Sequence, residues 1–335
     1  MVVGAGRIGS IRTFVAKAHR FSRVVEIVDL DGRRARALAE SVGAEYSTNW
    51  VHAVKSSKSD VVIVSTTNNS LAKISREALA SGKHVLVEKP GAISSKELVA
   101  VCEAAAKNRV FCKVGFNHRF HPGIAKTREL YEGGKIGRLL FLRVRHGHGG
   151  RSGYEQEWRA NPEVAGGGEL MDQGVHGLDL INWFLPGVEK VSAWTNTCFW
   201  KMKVEDNALL MLYGPGGACA SLGVSWTQWK PLFFFEIYGS EGFAEVNGLG
   251  GAYGQEVLTY GNKGDEHTNR VFFQQKDESW ELEWNHFLEC VRSGREPMSS
   301  ARESLAVMKM VEAAYLSAKR NSYVVSVESI SGVSK

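Results

Sequence analysis

The sequence predicts an α/β chain in two parts, a doubly wound parallel sheet followed by a domain built on a mainly antiparallel sheet. Three observations carry this expectation. Apolar runs alternate with helical patterns up to about residue 118. A glycine-rich turn, Gly4-Ala5-Gly6-Arg7-Ile8-Gly9, separates the first apolar run from the first helical pattern. Beyond residue 118, short apolar runs are joined by Gly, Pro and Asn turns.

Val2 and Val3 supply the end of the first strand. Three residues precede Gly4, fewer than the about five or six of an ordinary strand, so either this strand is short or the sequence begins inside it. Residues 10–19 carry an apolar stripe of Ile11, Phe14, Val15 and Ala18 at helical spacing. Next come strand 24–29, helix 31–42, strand 60–66, helix 71–81, strand 84–88, helix 95–108 and strand 110–116. These strands are continuously apolar, as a parallel sheet covered by helices on both faces requires. Residues 1–118 are read as this first domain.

Residues 119–335 are read as a second domain for substrate binding and oligomerisation, with strands at 139–148, 188–201, 207–213, 218–226, 233–238 and 242–246. Eight of the nine Trp residues, all but Trp50, fall here. A broad sheet with one face left by the helices needs a cover, so a subunit interface is expected on it, in a homodimer or homotetramer. The closing helix has Ser300 and Glu303 as a capping box and a stripe of Val307, Val311, Ala314, Tyr315 and Ala318.

Composition narrows the class. With 44% apolar and 23% charged residues in 335, the chain reads as globular and long enough for two domains. The net charge of +5 comes from dispersed Lys and Arg, which argues against a nucleic-acid partner and modestly favours an anionic substrate. Cys102, Cys112, Cys198, Cys219 and Cys290 are odd in number and widely spaced, without a Cys-x-x-Cys pair; this argues against a disulfide framework or zinc site and for a reducing cytoplasm. No apolar run approaches the roughly 20 residues that span a bilayer, and no secretory signal is evident, so no membrane partner is expected.

A Gly-x-Gly-x-x-Gly turn between strand and helix brings backbone N–H groups to a dinucleotide pyrophosphate, although the same turn also occurs as a tight bend without a ligand. Asp29 ends the second strand 20 residues beyond Gly9, where a carboxylate holds ribose hydroxyls. That favours NAD. Arg33 and Arg34, close by in sequence, keep NADP open by offering an attraction to a 2′-phosphate.

Oxidising a secondary alcohol with a nicotinamide removes a hydride from carbon and a proton from the hydroxyl. The base should titrate near neutrality, as histidine does with an unperturbed pKa of about 6.5. His176 is the candidate. In a helix over about 169–184, Asp172 and His176 stand four apart on one face, where Asp172 also favours the imidazolium that forms. The three glycines ahead of them, Gly166 to Gly168, allow backbone to approach a ligand closely. A surface ion pair has the same spacing. Metal ligation fits worse, since a third ligand is missing and His146 and His148 belong to another element; no metal is expected. Lys89 is the second candidate. It follows a strand at the carboxyl end of the parallel sheet, where ligands of open sheets bind, and Pro90 restricts the backbone that presents it. A solvated turn lysine is the alternative.

Four segments, Gly4 to Gly9, Gly82-Lys-His-Val-Leu-Val-Glu-Lys-Pro90, Val114-Gly-Phe-Asn-His-Arg-Phe-His-Pro122 and Gly166-Gly-Gly-Glu-Leu-Met-Asp-Gln-Gly-Val-His-Gly-Leu-Asp179, resemble the glucose-fructose oxidoreductase, inositol dehydrogenase and rhizopine catabolism (Gfo/Idh/MocA) family. The resemblance covers essentially the whole chain. It implies an N-terminal Rossmann domain, a C-terminal α/β domain with an open, mainly antiparallel sheet used in oligomers, and hydride transfer at a ring carbon of a sugar, cyclitol or nucleotide sugar. It implies catalytic roles for Lys89, Asp172 and His176. Alongside Gly4, Gly6, Arg7, Ile8, Gly9 and Asp29, it assigns Thr66, Asn68 and Glu88 to the cofactor, Asn117 to the nicotinamide side, and Trp158 and Arg159 to the space between cofactor and substrate. One departure is visible. Where relatives often carry Thr-Pro-Asn-x-x-His, this chain has Thr66-Thr67-Asn68-Asn69-Ser70-Leu71, which puts adenine-side contacts in doubt.

The substrate is less defined. The period of two over 142–148 puts Leu142, Val144, His146 and His148 on one face, so the two histidines either hydrogen-bond polyol hydroxyls or are satisfied strand-end residues. Arg151 and Tyr154 are open in the same way. Trp226, Trp229 and Lys230 either stack on a sugar or belong to core or interface. Against a dehydrogenase stand two rivals, a non-catalytic cofactor- or sugar-sensing regulator on the same fold and a sugar–sugar oxidoreductase with tightly bound cofactor. A sensor needs neither Lys89 nor His176.

Overall fold

The computed structural model describes residues 1–273 and 276–330. Two compact units emerge among the described residues, one of Met1–Phe116 with Trp280–Leu305, the other of Asn117–Ser279 with residues 306–330.

The first unit holds a six-stranded sheet of β1 (Val2–Val3), β2 (Glu26–Val28), β3 (Glu45–Ser47), β4 (Val61–Val64), β5 (His84–Glu88) and β6 (Cys112–Gly115). All neighbours run parallel, in the order β3-β2-β1-β4-β5-β6. The order reverses between β1 and β4, and the carboxyl ends of such a pair open the crevice in which ligands of doubly wound sheets bind. Helices α1 (Arg7–Ala18), α2 (Gly32–Val42), α3 (Trp50–Ser56), α4 (Asn68–Ala80) and α5 (Ser95–Asn108) connect the strands. Caps set several helix ends. Asp31 accepts from the N–H groups of Arg33 and Arg34 at the start of α2, and Gly43 turns left-handed at its end, with φ of 72°. Ser94 accepts from Glu97 N–H at the start of α5.

Helix α1 corrects the apolar stripe. Its buried residues are Gly9, Arg12, Thr13 and Ala16, whereas Phe14 is 49% exposed. An ion pair holds Arg12 inside, and apolar periodicity is blind to that. Helix α9 (Ser279–Ser293) is a second difference, because Trp284 and Phe287 complete the first unit's core with Val2, Ile27, Ile63 and Leu86. The sequence division at residue 118 put this stretch with the second domain; a helical stripe signals burial but not which sheet receives it.

The second unit carries α6 (Pro122–Glu132), β7 (Leu139–Gly147), α7 (Pro162–Ala165), α8 (Val175–Phe184), β8 (Lys190–Asn196), β9 (Asn207–Tyr213), β10 (Cys219–Ser225), β11 (Leu232–Gly239), β12 (Gly242–Asn247), β13 (Val257–Asn262) and β14 (Asn269–Phe272). Helix α10 (Ala301–Lys319) and β15 (Val325–Ser326) close the described chain. The nine-stranded sheet runs β14-β13-β12-β11-β7-β10-β9-β8-β15. Among the described residues of this sheet only β7 and β10 pair in parallel. On one face, Leu142, Val144 and His146 are buried, while His148 lies beyond the strand end. On the other, Trp194, Leu209 and Met211 are exposed along with Arg143 and Arg145, around a shallow depression of about 750 Å³. Among the described residues no helix is long and apolar enough to cross a membrane.

Candidate active site

In the first unit the glycine turn follows β1 and opens α1. A Cβ on Gly4, whose φ is 101°, would lie 2.5 Å from Ser65 O, and one on Gly9 would lie 1.8 Å from Gly4 O, so both glycines are needed for the turn to close. A Cβ on Gly6 would meet nothing within 4 Å. Gly6 also caps α1 without a side-chain hydrogen bond. Open space in front of a helix N-terminus is where a pyrophosphate is received by backbone N–H groups and the helix dipole. Arg7 is exposed and Ile8 half-buried on the same turn.

Asp29 is tied to this turn. Its Oδ2 accepts from Ala5 N–H at 2.7 Å and its Oδ1 from Asp31 N–H at 2.8 Å. The Arg33 and Arg34 guanidiniums stand 4.0 and 3.5 Å from Asp31 and are largely exposed. Thr66 is half-buried after β4, and Asn68 is buried at the start of α4.

Glu88 is turned to Arg12, which donates from Nε to Oε1 at 2.8 Å. Arg12 Nη1 lies 2.6 Å from Glu283 Oε2, and Lys113 Nζ lies 3.2 Å from Glu283 Oε1. Burial pushes the Glu88 carboxyl up, and the Arg12 charge opposes that. Two cations and two carboxylates therefore balance inside the unit and fix the end of β5. Lys89 follows, half-buried, with a cis peptide to Pro90.

In the second unit a π-turn, Leu170–Gly174, runs directly into α8, where the sequence spacing predicts one regular helix. Asp172 lies on the π-turn and His176 in the first turn of α8, 8% and 5% exposed. The end of the glycine run before them is held by Glu205, which accepts from Gly168 N–H and Leu170 N–H at 3.0 Å each and from Tyr315 Oη at 2.8 Å. A Cβ on Gly168 would sit 1.9 Å from Glu205 O, so close approach of this backbone demands glycine. Arg159 Nε donates to Asp172 Oδ2 at 3.1 Å, and Arg159 lies over Trp158 at 4.5 Å. Glu157 links Arg159 to the exposed Arg151.

His146 packs edge-on against Tyr253 at 5.1 Å, and His118 stacks on His176 at 3.9 Å. Burial pushes the Tyr253 phenol up, and the charges of Glu169 and Asp172 add to it, so Tyr253 stays a protonated donor. Asn117 Nδ2 donates to Ser279 Oγ at 2.8 Å. His148 Nδ1 accepts from Gly150 N–H at 3.0 Å. Tyr154 is packed between Trp226 and Trp200 in a small aromatic core, and Trp226 is wholly buried, whereas Trp229 is 62% exposed. Among the described residues no group of three or more His, Cys, Asp or Glu is placed to hold a metal ion.

Sequence reasoning missed Arg12, His118, Glu205 and Tyr253. His118 stands inside a motif segment and was open to recognition. A buried Arg on a helix of mixed character and a tyrosine in a glycine loop carry no local signal.

The oxidoreductase family model with an NAD-binding Rossmann fold matches residues 1–116, and the GFO/IDH/MocA C-terminal domain model matches residues 124–245. The scyllo-inositol 2-dehydrogenase (NAD(+)) of Bacillus subtilis is 28% identical over 314 residues, 89% of this chain and 87% of that one. Inositol 2-dehydrogenase 2 of Saccharopolyspora erythraea is 32% identical over 200 residues, 58% of this chain and 56% of that one. A levoglucosan dehydrogenase solved with NADH and levoglucosan shares the fold, with a TM-score of 0.88 at 21% identity over 97% of this chain and 98% of that one. GenD2 from gentamicin A biosynthesis, solved with NAD, gives 0.85 at 25% identity over 97% and 95%.

Proposed function

Because the chain belongs to the Gfo/Idh/MocA family of NAD-binding oxidoreductases, we propose that it is a dehydrogenase moving hydride between NAD and a ring carbon of a sugar or cyclitol. The observation that carries this reading is the buried pair on the π-turn and α8, Asp172 held by Arg159 and His176 at the helix start. Bound NAD supplies the hydride acceptor. Gly4, Gly6 and Gly9 shape its pyrophosphate cradle, with Thr66, Asn68, Glu88 and Asn117 as its further surroundings. His176 takes the hydroxyl proton, Lys89 polarises the reacting oxygen, and Asp172 orients the substrate and favours the imidazolium. His146 and Tyr253 offer hydrogen bonds to further hydroxyls, a polyol feature the substrate would share. Asp29 favours NAD over NADP, since a 2′-phosphate would meet its charge. The exposed face of the second sheet, around Trp194, Leu209 and Met211, is the proposed seat of a homodimer or homotetramer contact.

The test is a screen of free sugars, inositols and nucleotide sugars with NAD and with NADP, read as reduced nucleotide formed. With the best substrate, His176→Ala should lower turnover by roughly 10²- to 10⁴-fold with NADH binding retained. Unchanged turnover would refute the acid/base assignment.

A further inference from the structure

His118 stands on a short 3-10 turn, Asn117–Phe120, and its ring lies flat on that of His176, with centroids 3.9 Å apart and planes 14° apart. The stack is built into the fold. Arg119, the next residue, grips Asp179 of α8 through Nε at 2.8 Å and Nη2 at 2.7 Å, and both side chains are buried. The turn that carries His118 is thus bound to the helix that carries His176. Around it, His121 and Phe233 meet the His118 ring edge-on at 5.7 and 5.5 Å, and His146 lies tilted at 5.3 Å.

We propose that His118 is a positioning residue for His176: its stacked ring fixes the plane of the base and confines the two rings to a single positive charge. This rests on the reading of His176 as the acid/base. In a face-to-face stack the ring N–H bonds lie in parallel planes, so neither ring hands a proton to the other and the coupling acts through charge. An imidazolium over a neutral ring is attracted by its π face, whereas two imidazoliums, shielded from water on residues 8% and 5% exposed, repel. A neutral His118 therefore supports the charge that His176 acquires from substrate. The other titratable and charged groups of the elements packed on this pair are His121, which faces Glu256 at 3.2 Å and Asp277 at 3.9 Å; His146 beside Tyr253; Arg119 with Asp179; and, on and beside the π-turn, Asp172 with Arg159 and Glu169.

The ring Cε1–H signals of ¹³C-labelled histidines, followed against pH in the cofactor-free protein, test this without reference to catalysis. In the wild type, His118 and His176 should titrate together in two steps more than about one pH unit apart. In His118→Phe, which keeps a flat ring without a charge, His176 should titrate in one step. Independent single-step titrations in the wild type would overturn the proposal. In kcat/KM profiles, the acid limb should simplify from two steps to one in His118→Phe. His118→Ala should lower kcat by up to about 10²-fold as the ring plane is released, with most of the loss recovered in His118→Phe. An acid limb unchanged in His118→Phe would also overturn it. Failure of His176→Ala to lower turnover would instead strike the acid/base reading and leave the coupled titration standing, so the two failures are distinguishable.

Discussion

Arg159 Nε donates to Asp172 Oδ2 at 3.1 Å while its Nη1 lies 3.3 Å from Glu157 Oε2, so one guanidinium joins the segment around Glu157 to the π-turn that carries Asp172. Tyr154 lies near the same carboxylates; burial first, then Asp172 and Glu169, push its phenol up. Asp172 is buried, and this cation orients its carboxylate. Losing a hydrogen bond to such a charged group costs about 1.5–3 kcal/mol. Arg159→Ala should raise KM for the sugar and lower kcat, with a combined loss of about 10- to 10²-fold in kcat/KM. Arg159→Lys should recover only part of it, since Lys keeps the charge but not the fork or the stacking on Trp158. Unaltered kinetics in Arg159→Ala would remove Asp172 from the proposed role.

The buried set Arg12, Glu88, Glu283 and Lys113 makes a stability prediction. Each carboxylate faces a cation with almost no water access. Removing one member leaves an uncompensated charge, at about 3–5 kcal/mol. Glu283→Gln should lower the unfolding free energy by that order in urea titrations at neutral pH, although residue 283 lies far along the chain from the glycine turn. A loss below about 1 kcal/mol would mean that water or a neighbouring group already satisfies Arg12 and Lys113.

That network also marks the limit of sequence reading. The parallel sheet was legible because continuous apolar runs and the glycine turn are local signals; the order of its strands was not, and β3 (Glu45–Ser47), three residues long and largely exposed, went unread. The strands from Leu139 to Asn247 were also legible, through short apolar runs between turn residues, although the run read as 188–201 is strand only over Lys190–Asn196. Strands Val257–Asn262 and Asn269–Phe272 escaped notice because their residues are mixed in character and only half-buried at the sheet's edge. Helix α1 was legible as a helix but not in its buried face, since charge pairing with Glu88 and Glu283 arises only after folding. Asp172 and His176 were found by spacing and motif; the π-turn between them and the ring beneath His176 depend on tertiary packing.

Asp29 gives a specificity prediction. Its carboxylate accepts from Ala5 N–H and Asp31 N–H, which fixes it beside the glycine turn. Asp29→Asn retains one acceptor and removes the charge that would repel a 2′-phosphate, while Arg33 and Arg34 remain exposed nearby. The ratio of kcat/KM for NAD over NADP should fall by about tenfold or more, corresponding to about 1.4 kcal/mol. A ratio that stays constant would show that discrimination lies elsewhere on the turn.

His286 on α9 predicts a pH dependence of stability. Met298 N–H donates to its Nε2 at 3.0 Å, which requires the neutral ring. Burial, followed by the Lys113 charge, lowers its pKa from 6.5 to about 4. Between these values the unfolded chain binds a proton that the folded one does not, so folding stability rises with pH through this window and is lost as pH falls from 6.5 towards 4. The ring is only partly buried, so solvent screening limits the effect to about 1–2 kcal/mol. His286→Gln can still accept from Met298 N–H and does not titrate. The stability of the wild type relative to this variant, measured by urea unfolding at a series of pH values, should therefore climb from pH 4 to 6.5 and level off above it. A difference that stays flat across that range would mean His286 is charged in the folded chain, and the bond from Met298 would then have to be broken.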